Sequence, residues 1–217
     1  MKAELIDSMG SDLSVVNAAR VSFDKESDWK ILYNLEEKDQ RLIKYLAQHE
    51  HWSPFAHTSI QIRVSAPIFV ARQLVKHQVG LVWNEISRRY VDSKPEFYFP
   101  EVWRGCAEDK KQGSSNEEIE WIDREERVGS ALRKVCKEAE HSYNKMIEAG
   151  VSPEQARMIL PQNMYTSWYW TGSVYAFARV CNLRCKKDAQ KETQDIAWQI
   201  DEIASDIFPI SWNALRK

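Results

Sequence analysis

The chain has 217 residues, of which 43% are apolar and 29% charged, and its formal net charge is −2. This length and composition are typical of a globular protein with one substantial core, and the charge argues against a chain built mainly for non-specific nucleic-acid binding. Neither an apolar run of about 20 residues nor a signal-peptide pattern is present, so we expect no membrane partner. From the length and the charge, we expect a single domain over residues 1–217 and no nucleic-acid partner.

Hydrophobic periodicity in the first half of the chain predicts helices on either side of a strand. Ser11 is a suitable N-cap for a helix in "DLSVVNAARVSF", and residues 34–50 carry apolar side chains at helical spacing. Apolar and polar residues alternate over 58–66, as in a half-buried strand. Pro67 then opens a segment of helical length, and we expect this helix to run into residues 76–78.

The second half of the chain alternates extended and helical segments. The stretch "PEFYFP" at 95–100 predicts a short extended element, and the polar residues 104–120 predict a mobile surface loop. Ser152 and Pro153 are typical of a helix start. Further helices are predicted over 125–150, 173–184 and 189–208, and a further strand over 164–172. The order favours a mixed α/β chain without the regular alternation of a doubly wound sheet.

Residues 76–90, "KHQVGLVWNEISRRY", place polar and charged groups at both ends of a short apolar bridge. Lys76 supplies a cation, His77 and Gln78 supply donors and acceptors, and the guanidinium of Arg89 suits a phosphate. By composition alone, the segment is as typical of a solvated loop as of a binding site. Arginines 157 and 184, in apolar or helical surroundings, are likewise open to two interpretations, a structural ion pair or an anion site.

Cysteine, histidine and glycine usage argues against several familiar sites. The cysteines at 106, 136, 181 and 185 form no Cys-x-x-Cys pair, so we expect a cytoplasmic protein, or one in a host cytoplasm if the source is viral, in which Cys181 and Cys185 are reduced, packed thiols. "HEHWSPFAH" holds three histidines without the rest of a zinc pattern, and we predict no metal site. No Gly-x-Gly occurs, which excludes both the dinucleotide fingerprint and the phosphate-binding loop.

Seven fragments occur in the order and at the approximate spacing of the flavin-dependent thymidylate synthase family, which the chain resembles over most of its length. They are "DLSVVNAARVSF", "HWSPFAH", "APIFVARQLVKH", "WNEISRRY", "EFYFP", "ARMILPQNMYT" and "NLR". The other thymidylate synthase family uses a cysteine nucleophile, typically after proline. No Pro-Cys dipeptide occurs here, which fits a mechanism without that cysteine.

The resemblance implies a fold, a reaction and an assembly. The fold would be a single compact α/β (α+β) domain with a central, mostly antiparallel sheet and long helices. The enzyme would be a methyltransferase that converts dUMP to dTMP, with FAD as bound redox carrier, NADPH as reductant and methylenetetrahydrofolate as carbon donor. It would be a homotetramer with active sites between subunits. A related pyrimidine nucleotide hydroxymethylase is the alternative.

The resemblance also implies roles for individual positions. Arg184 matches the residue that stabilises charge on the uracil ring, and His51 matches a histidine near flavin and folate; both are expected to be catalytic. The positions matched to dUMP binding are Gln73, Lys76, Glu85, Ile86, Ser87, Arg88, Arg89, Arg157 and Arg184. The positions matched to FAD binding are Ser22, Ser53, Lys76, His77, Gln78, Glu85, Ser173, Val174, Tyr175 and Arg179.

The chain departs from the family pattern at residues 76–78. The family signature is Arg-His-Arg, seven residues and Ser, whereas here Lys-His-Gln is followed by eight residues and then Ser87. Arg88 stands at a usually small position, and Asp188 stands where relatives carry a histidine. One cation is therefore lost from the signature. Our hypothesis is that Arg88 and Arg179 return that positive charge.

Overall fold

The computed structural model describes residues 1–30, 34–91, 93–107 and 113–217. The strands are β1 (Lys2–Met9), β2 (Ser59–Pro67), β3 (Leu81–Glu85), β4 (Arg104–Cys106), β5 (Ser114–Glu118) and β6 (Tyr165–Gly172). The α-helices are α1 (Asp12–Arg20), α2 (Glu37–Gln48), α3 (Ser53–Ala56), α4 (Ile68–Leu74), α5 (Val128–Glu148), α6 (Pro153–Ala156), α7 (Val174–Arg184), α8 (Lys191–Ile207) and α9 (Pro209–Leu215). Two 3₁₀ turns cover Val21–Phe23 and Arg157–Ile159.

The central sheet has the strand order β1-β2-β6-β3, and each neighbouring pair is antiparallel. This confirms the predicted α/β class with an antiparallel sheet. Strand β2 buries Ile62 and Val64, which lie opposite Trp170 and Trp168 of β6. Since alternate residues of a strand share a face, these four side chains form the apolar side of the sheet.

Helices cover that apolar side. Helix α8 packs against β1 and β2, α7 packs against α8, and α9 packs against α2. One hydrophobic cluster includes buried residues from Val15 to Leu215. Asp12 ties the two ends of the chain together: its buried carboxylate accepts hydrogen bonds from the backbone N–H groups of Ile210, at 2.9 Å, and Ser211, at 2.8 Å. Among the described helices, none is long and apolar enough to cross a membrane.

The apolar bridge within residues 76–90 contains the strand β3. Helix α4 ends at Leu74, earlier than predicted, and the chain turns through Gly80, whose φ of +75° favours glycine. The strand β3 then pairs with β6 at the edge of the sheet. Trp83 stacks on Trp168 with ring centroids 4.2 Å apart, whereas Val82 is 64% exposed. Only one face of the bridge therefore packs.

Other elements also differ from the sequence-based expectation. The predicted loop at 104–120 contains the β4–β5 ribbon, while residues 108–112 lie outside the described part of the chain. The helix expected after Ser152 is a single turn followed by a 3₁₀ turn. Strand β1 and helix α9 were not predicted, because β1 is mostly exposed and lacks a period-two pattern while α9 has only seven residues. The segment 95–100 contributes a bridge from Phe97 to Met164.

Candidate active site

Arg184 lies where α4 and α7 meet. It is the last residue of α7, a helix that Ser173 caps by accepting a hydrogen bond from the Ala176 N–H at 3.2 Å. The Nε of Arg184 donates to Nε2 of His77 across 2.9 Å, and its Nη2 donates to the backbone oxygen of Gln73 across 3.5 Å. Two residues of the predicted signature region thus orient the predicted catalytic arginine.

His77 is held neutral by this environment. Burial and, next, the positive charges of Arg184 and Arg179 lower the pKa of His77 to about 4. At neutral pH the imidazole therefore has one nitrogen free to accept a hydrogen bond, as the contact with Arg184 requires. Burial also lowers the pKa of Arg184, but a guanidinium stays charged at physiological pH. The pair consists of a fixed cation and an uncharged acceptor.

A cleft of about 300 Å³ opens at the end of β3 and β6. Four of the residues that line it are predicted nucleotide-binding positions: Glu85, Ile86, Arg88 and Arg157. The carboxylate of Glu85 accepts a hydrogen bond from Thr166 Oγ1 at 2.7 Å and another from Trp83 Nε1 at 3.2 Å. Because both bonds come from the sheet, they hold one carboxylate in place at the cleft wall. No cysteine occurs among the described residues that line the cleft.

The residues just beyond β3 form a compact polar turn. Ser87 Oγ accepts hydrogen bonds from the backbone N–H of Arg89 at 3.3 Å and from its Nε at 3.2 Å. The Arg89 guanidinium also lies 5.1 Å from the ring centroid of Tyr90. An Arg88 guanidinium nitrogen donates to the backbone oxygen of Ser93. The arginines are thus oriented within the turn, and their remaining N–H groups can serve an anion.

A smaller cavity, of about 110 Å³, is lined by all three residues of the variant signature. Arg179 of α7 lines the same cavity. Two cations and an amide donor around one cavity suit a phosphate or diphosphate group. The donor set therefore fits the phosphate part of a flavin nucleotide, although it differs from the family signature.

Arg179 also lines a third cavity, of about 320 Å³. Tyr175 and Arg179 line it together with Lys186 and Lys217. The ring of Tyr175 lies 6.4 Å from that of the exposed Trp52. This part of α7 therefore presents both charge and aromatic surface next to the phosphate-sized cavity.

Several predicted residues are not brought together with the others in one protomer. The predicted site residues that line none of the three cavities are Ser22, His51, Ser53, Gln73, Ser87, Arg89, Ser173, Val174 and Arg184. His51 is exposed, with its ring 6.0 Å from the Tyr45 ring. Val174 is fully buried and its N–H donates to Thr58 Oγ1 at 3.0 Å, so this group is already bonded within the protein.

The sequence did not indicate two residues, Thr166 and Gln190, that make hydrogen bonds to predicted site residues. Thr166 fixes Glu85, and Gln190 donates to Glu192 Oε2 at 2.9 Å while accepting from Gln73. Gln190 follows the "NLR" motif by only a few residues, but nothing in the sequence indicates its contact with α4.

Cys181, Cys185 and Asp201 place ligand atoms within 4.8 Å of one another. The Asp201 carboxylate, however, already accepts from Trp212 Nε1 at 3.1 Å and pairs with Arg216. Both cysteines are free thiols, as expected from the sequence. We therefore interpret the group as an ion pair beside packed thiols.

Comparisons with known proteins find relatives over almost the whole chain. Residues 4–210 match the family described as "Thymidylate synthase complementing protein". A flavin-dependent thymidylate synthase from Thermus thermophilus is 39% identical over 213 residues, which are 98% of this chain and 74% of that protein. One from Thermotoga neapolitana is 39% identical over 214 residues, 99% of this chain and 90% of that protein.

Solved structures of PolB, a UMP/dUMP methylase from Streptomyces cacaoi, have the same fold. The complex with 5-Br dUMP superposes with a TM-score of 0.80 at 30% identity and covers 98% of this chain and 93% of that one. The complex with 5-Br UMP gives 0.83 at 28% identity, with coverage of 98% and 92%. A family match over almost the whole chain, relatives at 39% identity and this shared fold show that the chain belongs to the flavin-dependent thymidylate synthase family.

Proposed function

We propose that this protein catalyses the reductive methylation of dUMP to dTMP. Methylenetetrahydrofolate is the carbon donor, NADPH is the reductant, and no cysteine nucleophile takes part. The observation that carries the proposal is the pair of Arg184 and His77, in which a neutral imidazole orients a permanent cation. The family membership of the chain gives this pair its context.

Arg184 activates the uracil ring in this proposal. C5 of uracil becomes nucleophilic when negative charge at N3 and O4 is stabilised, and a guanidinium does so without having to titrate. The hydrogen bond to His77 fixes Nε, and the backbone oxygen of Gln73 fixes one Nη. The remaining N–H groups are therefore preorganised, which is the condition for electrostatic stabilisation.

The cleft beside β3 binds the nucleotide. Arg88 and Arg157 supply cations for the phosphate, and Ser87 and Arg89 supply further donors from the adjoining turn. Glu85, anchored by Thr166, offers a carboxylate oxygen as a fixed hydrogen-bond acceptor at the cleft wall. Gln73, Lys76 and Ile86 complete the proposed set of dUMP-binding positions.

Lys76, Gln78 and Arg179 hold the flavin phosphates, and the aromatic surface of Trp52 and Tyr175 lies near them. When bound, the flavin supplies the two reducing electrons that convert the transferred one-carbon unit into a methyl group. The chain's own part is to hold that cofactor next to the nucleotide and to exclude water from between them. His51 is proposed to position or protonate a group at the flavin and folate.

The active sites form between subunits of a homotetramer, with residues 1–217 as one domain and the cytoplasm as its location. Ser22, His51, Ser53 and Arg184 are among the proposed site residues that line none of the three cavities. Large apolar side chains are also exposed: Phe23, Trp52, Val79, Val82, Tyr90 and Met158. A second copy of the chain would bury such side chains and complete the site.

Purification and one assay test the function. The protein should be yellow with bound flavin, and incubation with dUMP, methylenetetrahydrofolate and NADPH should give a product with the mass of dTMP. A hydroxymethyl product would instead support the alternative that the variant signature suggests. Parallel incubations with UMP and dCMP test the substrate, since the PolB relative is a UMP/dUMP methylase. Turnover of dCMP but not dUMP would contradict the proposal.

A further inference from the structure

A chain of polar contacts runs from the β4–β5 ribbon to Gln73. Arg104 Nε donates to Ser114 Oγ at 2.8 Å, and its Nη2 donates to Glu192 Oε1 at 2.7 Å. Gln190 Nε2 donates to Glu192 Oε2 at 2.9 Å, and Gln73 Nε2 donates to Gln190 Oε1. The ribbon is thus linked to Gln73, a proposed nucleotide-binding residue, through the side chains of Glu192 and Gln190, which have no role in the proposed reaction.

The ionised state of Glu192 determines which group donates and which accepts in each of these hydrogen bonds. Glu192 is only 5% exposed; burial raises its pKa, but bonds from Arg104, its own backbone and Gln190 outweigh burial and lower it. An ionised carboxylate can only accept, so Gln190 must turn its NH₂ toward Glu192. Its carbonyl oxygen must then face Gln73, and only the NH₂ of Gln73 can meet it.

Because the NH₂ of Gln73 is bonded to Gln190, the side-chain group of Gln73 left for a ligand is its carbonyl oxygen. Within the described part of the chain, the side-chain bond of Gln73 goes to Gln190, and no hydrogen bond ends on Gln73 Oε1. Gln190 cannot simply move away, because it is the N-cap of α8 and its backbone oxygen accepts from Thr193 and Gln194, both at 2.9 Å. Gln73 is half-buried, and its backbone oxygen contacts Arg184.

We propose that Glu192 and Gln190 are positioning residues that lock the Gln73 amide so that its carbonyl oxygen, and not its NH₂, is offered to the nucleotide. This rests on the proposed function, in which Gln73 binds dUMP. An acceptor selects an N–H or O–H donor and not a phosphate oxygen. The donor on a uracil deoxynucleotide is either N3–H or the sugar 3′-hydroxyl.

The first test is the isosteric variant Glu192→Gln. Its amide can donate as well as accept, so it no longer fixes which end of the Gln190 amide faces residue 192. We expect the Kd for dUMP to rise about tenfold, as for one lost hydrogen bond of favourable geometry, with flavin content and kcat at saturating dUMP unchanged. Gln190→Met removes the amide that links Glu192 to Gln73 but keeps the pair of Arg104 and Glu192. It should weaken dUMP binding to the same extent as Glu192→Gln. The double variant should be no weaker than either single one.

Asp39→Asn is the matched control. Asp39 is also a buried carboxylate paired with an arginine, Arg20, but it lies elsewhere in the fold. It should lower stability without raising the Kd for dUMP more than about twofold. Equal weakening by Asp39→Asn, or additive effects of the two network variants, would overturn the proposal.

Two dUMP analogues identify the donor. 3-Methyl-dUMP lacks N3–H, and 3′-deoxy-dUMP lacks the 3′-hydroxyl. The analogue that lacks the donor to Gln73 should bind the wild-type protein more weakly than dUMP. That penalty should vanish in Glu192→Gln. Penalties of the same size in wild type and variant would show that Gln73 does not accept from the ligand, against the proposal.

A ligand-free measurement separates this inference from the proposed function. The side-chain NH₂ resonances of Gln73, observed by NMR in the flavin-bound protein, should shift in both Glu192→Gln and Gln190→Met. Unshifted resonances would overturn the network even if dUMP is methylated. Shifted resonances in a protein that binds no dUMP would instead contradict the proposed function and leave the network standing.

Discussion

Arg184 and His77 form a one-directional hydrogen bond, in which the guanidinium Nε donates to the imidazole Nε2 across 2.9 Å. A protonated imidazole has no lone pair to accept it, so the contact exists only while His77 is neutral. Burial and two neighbouring arginines keep it so. The residues come from elements far apart in the chain, so the contact links the fold directly to the proposed chemistry.

Replacing Arg184 with alanine should nearly abolish turnover while flavin stays bound. Loss of a preorganised charge donor costs about a hundredfold to a thousandfold in rate. Steady-state turnover of dUMP and the flavin-to-protein absorbance ratio measure the two effects. Arg41→Ala is the control, since Arg41 is exposed and pairs with the exposed Glu37 one turn earlier in α2. Near-full activity of Arg184→Ala would refute the assigned role.

Stability should fall between pH 6.5 and about pH 4 because of His77. The folded-state pKa is lowered to about 4 from 6.5, so the unfolded chain binds a proton more readily in that window. The contribution is complete above pH 6.5 and is lost as the pH falls. Urea unfolding at pH 7 and pH 5 should show a smaller drop in His77→Asn than in wild type. His141→Asn, an exposed control in α5, should keep the wild-type drop; equal drops in all three proteins would contradict the prediction.

Thr166→Val should weaken nucleotide binding through Glu85. The substitution keeps the shape of Thr166 but removes the 2.7 Å bond that anchors the carboxylate, and we expect the Kd for dUMP to rise about fivefold. Calorimetric titration measures it. Thr171→Val on the same strand removes a bond to Gln61 instead and should leave the Kd unchanged. Equal effects of both variants would indicate a general disturbance of β6.

The charge lost from the signature should be replaced by Arg179 rather than Arg88. Arg179 lines the cavity formed by Lys76 and Gln78, whereas Arg88 lines the cleft with Arg157. Arg179→Gln should therefore raise the Kd for flavin about tenfold, and Arg88→Gln should do the same for dUMP. Flavin fluorescence and dUMP titrations distinguish them. Weakened flavin binding in Arg88→Gln alone would reverse the assignment.

Asp12→Ala should destabilise the fold by about 2–3 kcal/mol. It leaves two backbone N–H groups at the start of α9 without their acceptor, and the site is buried. Chemical denaturation measures the loss. Asp7→Ala is the control, because Asp7 is exposed and its side chain accepts from the adjacent Ser8 N–H. A loss below about 0.5 kcal/mol in Asp12→Ala would show that water replaces the carboxylate.

Local patterns predicted the elements that have a strong period. The alternation over 58–66 became β2, and Ser11 is the N-cap residue of α1, where its backbone N–H donates to Ser14 Oγ at 3.0 Å. The edge strand β1 escaped prediction because most of its side chains face solvent on both sides. Strand β3 escaped because a turn at Gly80, which depends on backbone conformation, separates it from α4.

For the candidate site, the sequence determined which residue types are present, and their motifs determined the family. A permanent cation at 184, an imidazole at 77 and a variant Lys-His-Gln signature are all readable without coordinates. Only the tertiary structure decided that the imidazole is neutral, since its pKa depends on burial and on charges from a distant helix. It alone also connected Glu192 to Gln73, because hydrogen bonds between side chains far apart in the chain follow from packing and have no signature in the sequence.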